Sequence, residues 1–435
     1  MERLQAYKFR IYPSADQEQT MVQIAGCCRL VYNLGLEQRT LFYRRGVRTF
    51  SYLSQANELP ALKAEFPFLK IAPAQSLQVA IRQLDTAFQR FFDGHASYPT
   101  YKSRRSSLSF TFPDPKQVRV DWHRSKLVLP KFGKSGSDHG ALNLRAHRAL
   151  KGKIRQITIS CSGGMWFASI LVKRRVADLP ESPIHSAGQV VGVDRGIVSA
   201  IVTDQGDKFN VNGTRQGSVQ RQKRLNQKLA RQKLGSANRQ RTIKRLQAVK
   251  AREARRRRDQ INKITSHLVK NHDLIVIEDL KVQNMSRSAK GTLREPGSNV
   301  AAKSGLNRAI LDKGWGEVRR QLNYKAAWAG KQVLEISPVN TSRTCPECGH
   351  VSADNRRSQA VFDCTSCGYL GNADQIAAFN IKQRGLAMLG LPPATVPPVT
   401  PPKDVRCQPV ESSCASSSVK QESKPVKVAL LGTAA

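Results

Sequence analysis

Acidic residues are scarce in this chain. Its 435 residues hold 32 Asp and Glu against 71 Lys and Arg, a formal net charge of +39 at neutral pH. So one-sided a balance does not choose a fold. It does select polyanionic partners, nucleic acid first, because each phosphate contacted releases condensed counterions. Long apolar runs are missing too: there is no lipidation motif and no stretch of about 18 apolar residues, so a membrane surface is not the expected partner. The opening residues, Met1-Glu-Arg-Leu-Gln-Ala-Tyr7, lack the apolar stretch of a secretory signal. Cysteine is sparse and odd in number, nine in all, four of them in metal spacing, which fits a reducing cytosol. The expected location is the cytoplasm, with nucleoid association in a prokaryote. Cys27, Cys28 and Cys161 read as packing residues, and Cys407 and Cys414 form no ligand set. A hydrophobic content of 40% suffices for cores, and the length suits two or three domains.

The sharpest pattern lies in the C-terminal third. Cys345-Pro-Glu-Cys348 and Cys364-Thr-Ser-Cys367 are two CxxC knuckles with fifteen residues between them. That spacing is a zinc-ribbon pattern, four thiolates holding one structural Zn²⁺ tetrahedrally; a pair of oxidised hairpins is the weaker alternative. Gly349 and Gly368 follow the knuckles and relieve their turns. Seven residues after Cys367 stands Asp374, leading into the apolar run Ala377-Ala-Phe-Asn-Ile381. Arg343, two residues before the first ligand, is placed for contact with a scissile phosphate.

In chain order, Tyr7, Phe9 and Ile11 alternate with Lys8 and Arg10, a strand with one buried face. Ser14 and Gln17 form a capping-box pattern ahead of a helix with Met21, Ile24, Cys28, Val31 and Gly35 at helical spacing. A second helix from about Pro73 to Phe92 carries the stripe Leu77, Ile81, Leu84, Phe88 and Phe91. Its other faces hold Gln78, Arg82, Gln89 and Arg90, either a solvated surface or a helix laid along a nucleic-acid groove. Lys102 and Arg104 interleave with Tyr98 and Tyr101, a mix suited to bases and phosphates or to a solvated loop. Strands follow at 107–112, 118–122 and 126–129, with a hairpin over 153–174 turning at Ser162-Gly163-Gly164. The N-terminal strand should pair with these, leaving the helices as an insert in a small β-barrel.

After the proline-rich linker Leu179–Pro183, three strands are predicted at 190–197, 198–202 and 208–211, with Asp194 on the first. An RNase H-like sheet opens this way, although a structural Asp bonded to a turn has the same signature. Residues 215–270 are densely basic, Arg224, Lys228 and Arg245 among them, over thin apolar stripes. They read as two long helices broken near Gly235-Ser236, and the imbalance favours nucleic-acid contact over a solvated face. Leu274–Ile277 is a short buried strand with Glu278 and Asp279 at its C-terminal end, where α/β sheets gather chemistry. A polar loop over 285–303, one helix from about Leu306 to Trp328 and a strand at 331–336 lead to the cysteines.

Asp194, Glu278 and Asp374 thus stand out as acids that a sheet can bring together. Work on a phosphodiester needs charge neutralised on the attacking and leaving oxygens, as two Mg²⁺ about 3.5–4 Å apart do. Hard cations take oxygen ligands, hence carboxylates rather than histidines.

The segments GVDRGI at 192–197, IEDL at 277–280, TSRTCPECG at 341–349, CTSCG at 364–368 and NADQIAAFNI at 372–381 resemble the TnpB family. The strand KFRIYP and the segment SGLNRAILDKGWGEVRRQL extend the resemblance over roughly residues 1 to 385. It implies a transposon-encoded RNA-guided DNA endonuclease, related to type V CRISPR effectors. Also implied are a RuvC-like nuclease domain with Asp194, Glu278 and Asp374 as its acids, a guide RNA from the transposon end, and a short DNA motif read beside the target. Two positions depart from the family pattern: Arg195 stands where an aliphatic residue often follows the first acid, and Ile376 where Asn often follows the last. Arg195 is expected to face a phosphate or solvent.

The expected architecture is a multidomain α/β chain. Residues 1–13 start a wedge-like barrel, 14–95 form a helical recognition domain, and 96–183 complete the barrel. Residues 184–340 form the first part of the nuclease domain with its basic helices at 215–270. A zinc ribbon at 341–371, the end of the nuclease domain at 372–390 and a disordered Pro/Ser-rich tail at 391–435 follow. The expected partners are guide RNA and double-stranded target DNA, without a membrane; the oligomeric state is open. The rival readings are a transposase performing strand transfer and a nuclease-inactive RNA-guided regulator.

Overall fold

The computed structural model describes residues 2–45, 51–103, 108–132, 140–175, 189–211, 216–358 and 360–398. The N-terminal half begins with strand β1 (Glu2–Tyr12), whose inward residues Tyr7, Phe9 and Ile11 are buried as the alternation predicts. Helix α1 (Ala15–Arg44) follows, its start held by reciprocal bonds between Ser14 and Gln17. Two short helices that periodicity does not reveal, α2 (Tyr52–Asn57) and α3 (Leu59–Glu65), lead to α4 (Ala74–Phe92). Six strands come next: β2 (Ser109–Phe112), β3 (Arg119–Asp121), β4 (Lys126–Val128), β5 (Leu142–Leu144), β6 (Lys153–Ser162) and β7 (Met165–Arg175).

These strands and β1 make one seven-stranded antiparallel sheet in the order β2-β6-β7-β1-β5-β4-β3. Among the described residues the end strands β2 and β3 do not pair, so the sheet is a half-barrel rather than the small barrel expected. The physical reason lies at the edges. Helix α4 covers the β2 edge, where the Ser76 hydroxyl donates to the Thr111 carbonyl at 2.9 Å, and β3 is only three residues long. Helices and sheet also share a single apolar core: Met21, Ile24, Leu77 and Leu84 pack with Phe9, Ile11, Phe110 and Ile157.

The C-terminal half is built on β8 (Val190–Asp194), β9 (Ile201–Thr203), β10 (Lys208–Phe209), α5 (Gln216–Ala230), α6 (Ala237–Asn271), β11 (Leu274–Glu278) and the single turn α7 (Val282–Met285). Helices α8 (Val300–Lys313) and α9 (Trp315–Ala329), strands β12 (Gln332–Ile336), β13 (Val361–Asp363) and β14 (Leu370–Asn372), and helix α10 (Ala373–Met388) complete it. Five strands pair in the order β10-β9-β8-β11-β12, with β8, β11 and β12 parallel and the rest antiparallel. The central strands are apolar throughout because both faces are covered. Val191, Val193, Ile275 and Ile277 face α6 and α9 through Ile261, Leu268, Val318 and Leu322. Val190, Leu274 and Val276 face α10 through Ile381 and Leu386.

Two expectations are corrected. The helix predicted from Leu306 to Trp328 is two helices, broken at Gly314, whose φ of +68° places it in the left-handed region. A side chain there would also collide with Ile261 of α6 at 2.8 Å. Of the tail expected to be disordered, residues 391–398 are described and packed, and 399–435 lie outside the described residues. Leu391 and Ala394 pack against the α10 core, and the Tyr369 hydroxyl donates to the Pro397 carbonyl at 2.8 Å.

Helix α10 lies unusually close to β8. A methyl group at Gly192 would sit 2.0 Å from the Ala378 carbonyl oxygen and 2.7 Å from the Lys382 nitrogen. Gly192→Ala is therefore expected to destabilise the C-terminal half by about 3 kcal/mol, the upper end for an overpacked core. A lowered Tm in thermal unfolding checks this; an unchanged Tm would contradict so tight a contact.

Candidate active site and cysteine cluster

Asp194 ends β8, and Glu278 ends β11 alongside it. The parallel register pairs Val193 with Ile277, which brings the next residues, the two acids, to the same edge of the sheet. Asp374 arrives from the first turn of α10, packed on β8. Its helix is started by Asn372, whose side-chain oxygen accepts the backbone N–H of Asp374 at 3.2 Å and of Gln375 at 3.1 Å. A helix N-terminus is also a favourable place for a carboxylate.

The three acids feel one another. Burial first, then the charges of Glu278 and Asp374, push the Asp194 carboxyl from 3.8 up to about 7, against the pull of the Arg195 backbone N–H and of Arg356. The other two have drawn partners to themselves. Glu278 accepts the Thr341 hydroxyl at 2.6 Å, and Asp374 pairs with the Arg356 guanidinium at 3.2 Å. Among the described residues, only the four cysteines bring three or more ligand atoms within 4.8 Å of one another, so the carboxylates are gathered less tightly than that.

The cysteines have the geometry of a tetrahedral thiolate site. Sγ of Cys345 lies 3.6 Å from that of Cys367, and Cys348 the same distance from Cys364. Sulfurs about 2.3 Å from a central Zn²⁺ would stand about 3.8 Å apart, whereas a disulfide needs about 2.05 Å. The set therefore fits zinc and not oxidised hairpins. Asn355, fully buried between the knuckles, ties the loops together. Its amide donates to the carbonyls of Arg343 and His350, and its oxygen accepts Thr365 N–H and O–H.

The structure adds residues that the sequence does not advertise. Asn380 of α10 donates to the carbonyls of Thr341 and Thr344, both at 2.8 Å, so the acid-bearing helix grips the loop entering the first knuckle. Ile376, the departure from the family pattern, is buried with Phe362, Tyr369 and Cys345 in the core beneath the cysteines. Arg195 is a correction: its side chain is buried away from solvent and donates to the Glu278 carbonyl. Thr341 and Asn380 lie inside recognisable motifs, but Arg356 carries no spacing that announces a role.

The expected nucleic-acid residues fare unevenly. Arg224, Lys228, Arg245 and Arg343 are exposed, and Gln78 is half-buried. Arg82 is exposed and stacks on Tyr52, 5.0 Å from the ring centre. Lys102 is packed instead: its ammonium lies 3.7 Å over the Tyr32 ring, and Asn33 bonds its backbone on both sides. Arg104 lies outside the described residues. A second basic group joins the two halves. Burial and the charges of Arg258 and Arg255 hold Lys8 below the usual lysine range, while burial, Arg10 and Arg252 lower Arg255. Like charges this close repel one another, an effect added to that of burial.

The Asp194 carboxyl also gives the metal-free protein a pH dependence. The unfolded chain loses this proton near 3.8 and the folded chain near 7, so between those values only the folded state holds it. This group's contribution makes stability rise as pH falls from about 7 to about 4. Asp194→Asn should flatten that slope and raise Tm at the alkaline end. Thermal unfolding of both proteins in magnesium-free buffer is the check, and parallel pH curves would remove the repulsion argument.

Comparison with known proteins places the chain. Family signatures described as "Cas12f1-like, TNB domain", "Probable transposase" and "Helix-turn-helix domain" match residues 315–381, 170–289 and 1–47. In this chain the last covers β1 and one thirty-residue helix. The chain is 39% identical over 391 residues to the "Putative RNA-guided DNA endonuclease InsQ" of Escherichia coli K12, covering 89% of this chain and 94% of the relative. A Streptomyces pristinaespiralis protein described as a "Putative RNA-guided DNA endonuclease" is 31% identical over 423 residues, 96% of each chain. The Cas12f1 chain solved with sgRNA and target DNA shares the fold at a TM-score of 0.53 and 13% identity, covering 88% of this chain and 99% of that one. Identity of this extent over nearly the full length of both relatives reflects common descent, and the chain belongs to the TnpB family, the OrfB group of IS605-type elements.

Proposed function

We propose that this protein is a transposon-encoded, RNA-guided DNA endonuclease whose cutting site is the cluster Asp194, Glu278 and Asp374. The observation that carries the reading is the convergence of three acids, Asp194 and Glu278 at the ends of paired parallel strands and Asp374 in the first turn of the helix packed on them; burial and then the charges of the other two raise the Asp194 carboxyl. Such a cluster costs stability and does nothing for packing. It fits a divalent cation by donor chemistry, oxygen ligands only, from three separate elements. Mg²⁺, when bound, would supply charge neutralisation at the attacking and leaving oxygens of a phosphodiester. The chain's own residues hold the site: β8 and β11 fix two acids side by side, α10 brings the third, and Thr341 orients Glu278.

The five-stranded order, an antiparallel β10-β9-β8 meander followed by parallel β11 and β12, supports assigning this domain as RuvC-like. The cysteine cluster reads as a zinc ribbon with a structural role, since four thiolates leave no position open to water. The basic faces of α5 and α6, and the group Lys8, Arg10, Arg252, Arg255 and Arg258, are the surfaces for guide RNA and target DNA. Base pairing with the guide reads the sequence, and the protein reads backbone shape and the short flanking motif. The domain boundaries expected from the sequence, a recognition insert at 14–95 within a barrel of 1–13 and 96–183, belong to this proposal. No helix among the described residues is long and apolar enough to cross a membrane.

With the purified ribonucleoprotein on a plasmid target, Asp194→Ala should abolish cutting while guide and target binding persist. Strand-transfer products from the unaltered protein would favour a transposase, and binding without cutting, the same with and without Asp194→Ala, would leave only a binding regulator. Zinc removal is expected to act at a distance. Binding to such a site contributes about 10–16 kcal/mol of apparent folding energy, so a chelator should expose 341–372 to hydrogen exchange and stop cutting. Re-added Zn²⁺ should restore both.

A further inference from the structure

Asp204 is not one of the three acids, yet it bonds to the elements that carry two of them. It lies in the turn after β9 with its side chain only 7% exposed. Two of its bonds run to β8: Oδ1 accepts the Gly192 N–H at 3.0 Å, and the Asp204 N–H donates to the Gly192 carbonyl at 3.2 Å. Two run to α10: Oδ2 accepts the Lys382 ammonium at 2.9 Å, and the Asp204 carbonyl accepts the Gln375 amide at 3.1 Å. Gly192 stands two residues before Asp194. Gln375 directly follows Asp374, and Lys382 lies two turns further along α10.

A buried ion pair is a poor source of stability, because removing two charges from water offsets most of their attraction; its better-attested use is to set register. Here the register matters. The carboxylates on β8 and α10 repel each other, and that force pushes the helix N-terminus away from the strand. Gly192 permits the close approach of α10, but a glycine cannot hold it. We infer that Asp204, paired with Lys382, is a positioning residue that fixes the spacing of Asp194 and Asp374 and so sets how tightly a divalent cation binds between them. This inference rests on the nuclease reading above.

The test uses the full chain with its guide RNA and reads Mn²⁺ binding by electron paramagnetic resonance. Asp204→Asn and Lys382→Met should each weaken Mn²⁺ binding about 10–100-fold, the usual cost of losing a residue that orients metal ligands. Guide and target binding should stay unchanged. Each single variant leaves a buried charge unpaired and should lower Tm. The double variant Asp204→Asn/Lys382→Met carries no unpaired charge, so its Tm should recover while Mn²⁺ binding stays weak. A purely structural role predicts that Tm and Mn²⁺ affinity recover together, and that result would overturn the inference. Wild-type Mn²⁺ affinity in the double variant would do the same, even if the single variants fail to fold. Asp194→Ala separates the two levels: intact cutting in that variant defeats the assignment of the cutting site to the three acids, whereas an inactive Asp194→Ala beside a tight-binding double variant defeats only the positioning role.

Discussion

Like charge held at close range is the constraint around which the C-terminal half is arranged. Two parallel strands and one helix deliver Asp194, Glu278 and Asp374 to one edge of a sheet, and burial, with the charges of the other two acids added to it, keeps a proton on Asp194 up to about pH 7. Carboxylate repulsion would move the helix aside, against the apolar contacts of Ile381 and Leu386 with the sheet. The tight seat of α10 on Gly192, the Asp204–Lys382 pair and the Asn380 bonds all oppose that movement. Thr341 and Arg356 take up part of the charge that is left.

The cysteine cluster belongs to the same device. Its apolar floor includes Ile376 and Ala373 of α10 together with Phe362 and Tyr369, and Asn355 locks the loop that presents Arg356. A metal holding the four thiolates would therefore brace the start of the helix that carries Asp374. The cysteine cluster and the start of the helix bearing Asp374 share one core, although the sequence writes them as separate motifs.

The two halves of the chain meet through basic side chains. Arg3 of β1 donates to the Trp328 carbonyl and stacks on its ring, and Lys8 and Arg10 approach Arg255. Like charges on this seam repel one another, although the turn at Gly163 packs tightly against Ala251 of α6. A polyanion lying along it would relieve the strain and join the halves, the physical counterpart of a net charge of +39.

Much of this was legible from one sequence. Alternation predicts β1 and the β6–β7 hairpin, helical spacing predicts α1 and α4, and paired CxxC knuckles predict the thiolate cluster, because each signal is local and periodic. The three acids are legible as strand-end and helix-start residues, and the family resemblance links them. Residue spacing alone does not say that they face one another. The half-barrel in place of a barrel, the break at Gly314, the order of 391–398, the burial of Arg195 and the packing of Lys102 were settled by tertiary contacts. So were the roles open to Asp204, Arg356, Asn380 and Lys382. A polar residue that bonds across hundreds of positions leaves no period in the chain, and whether it meets solvent or a buried partner is decided only when the sheet and its helices close around it.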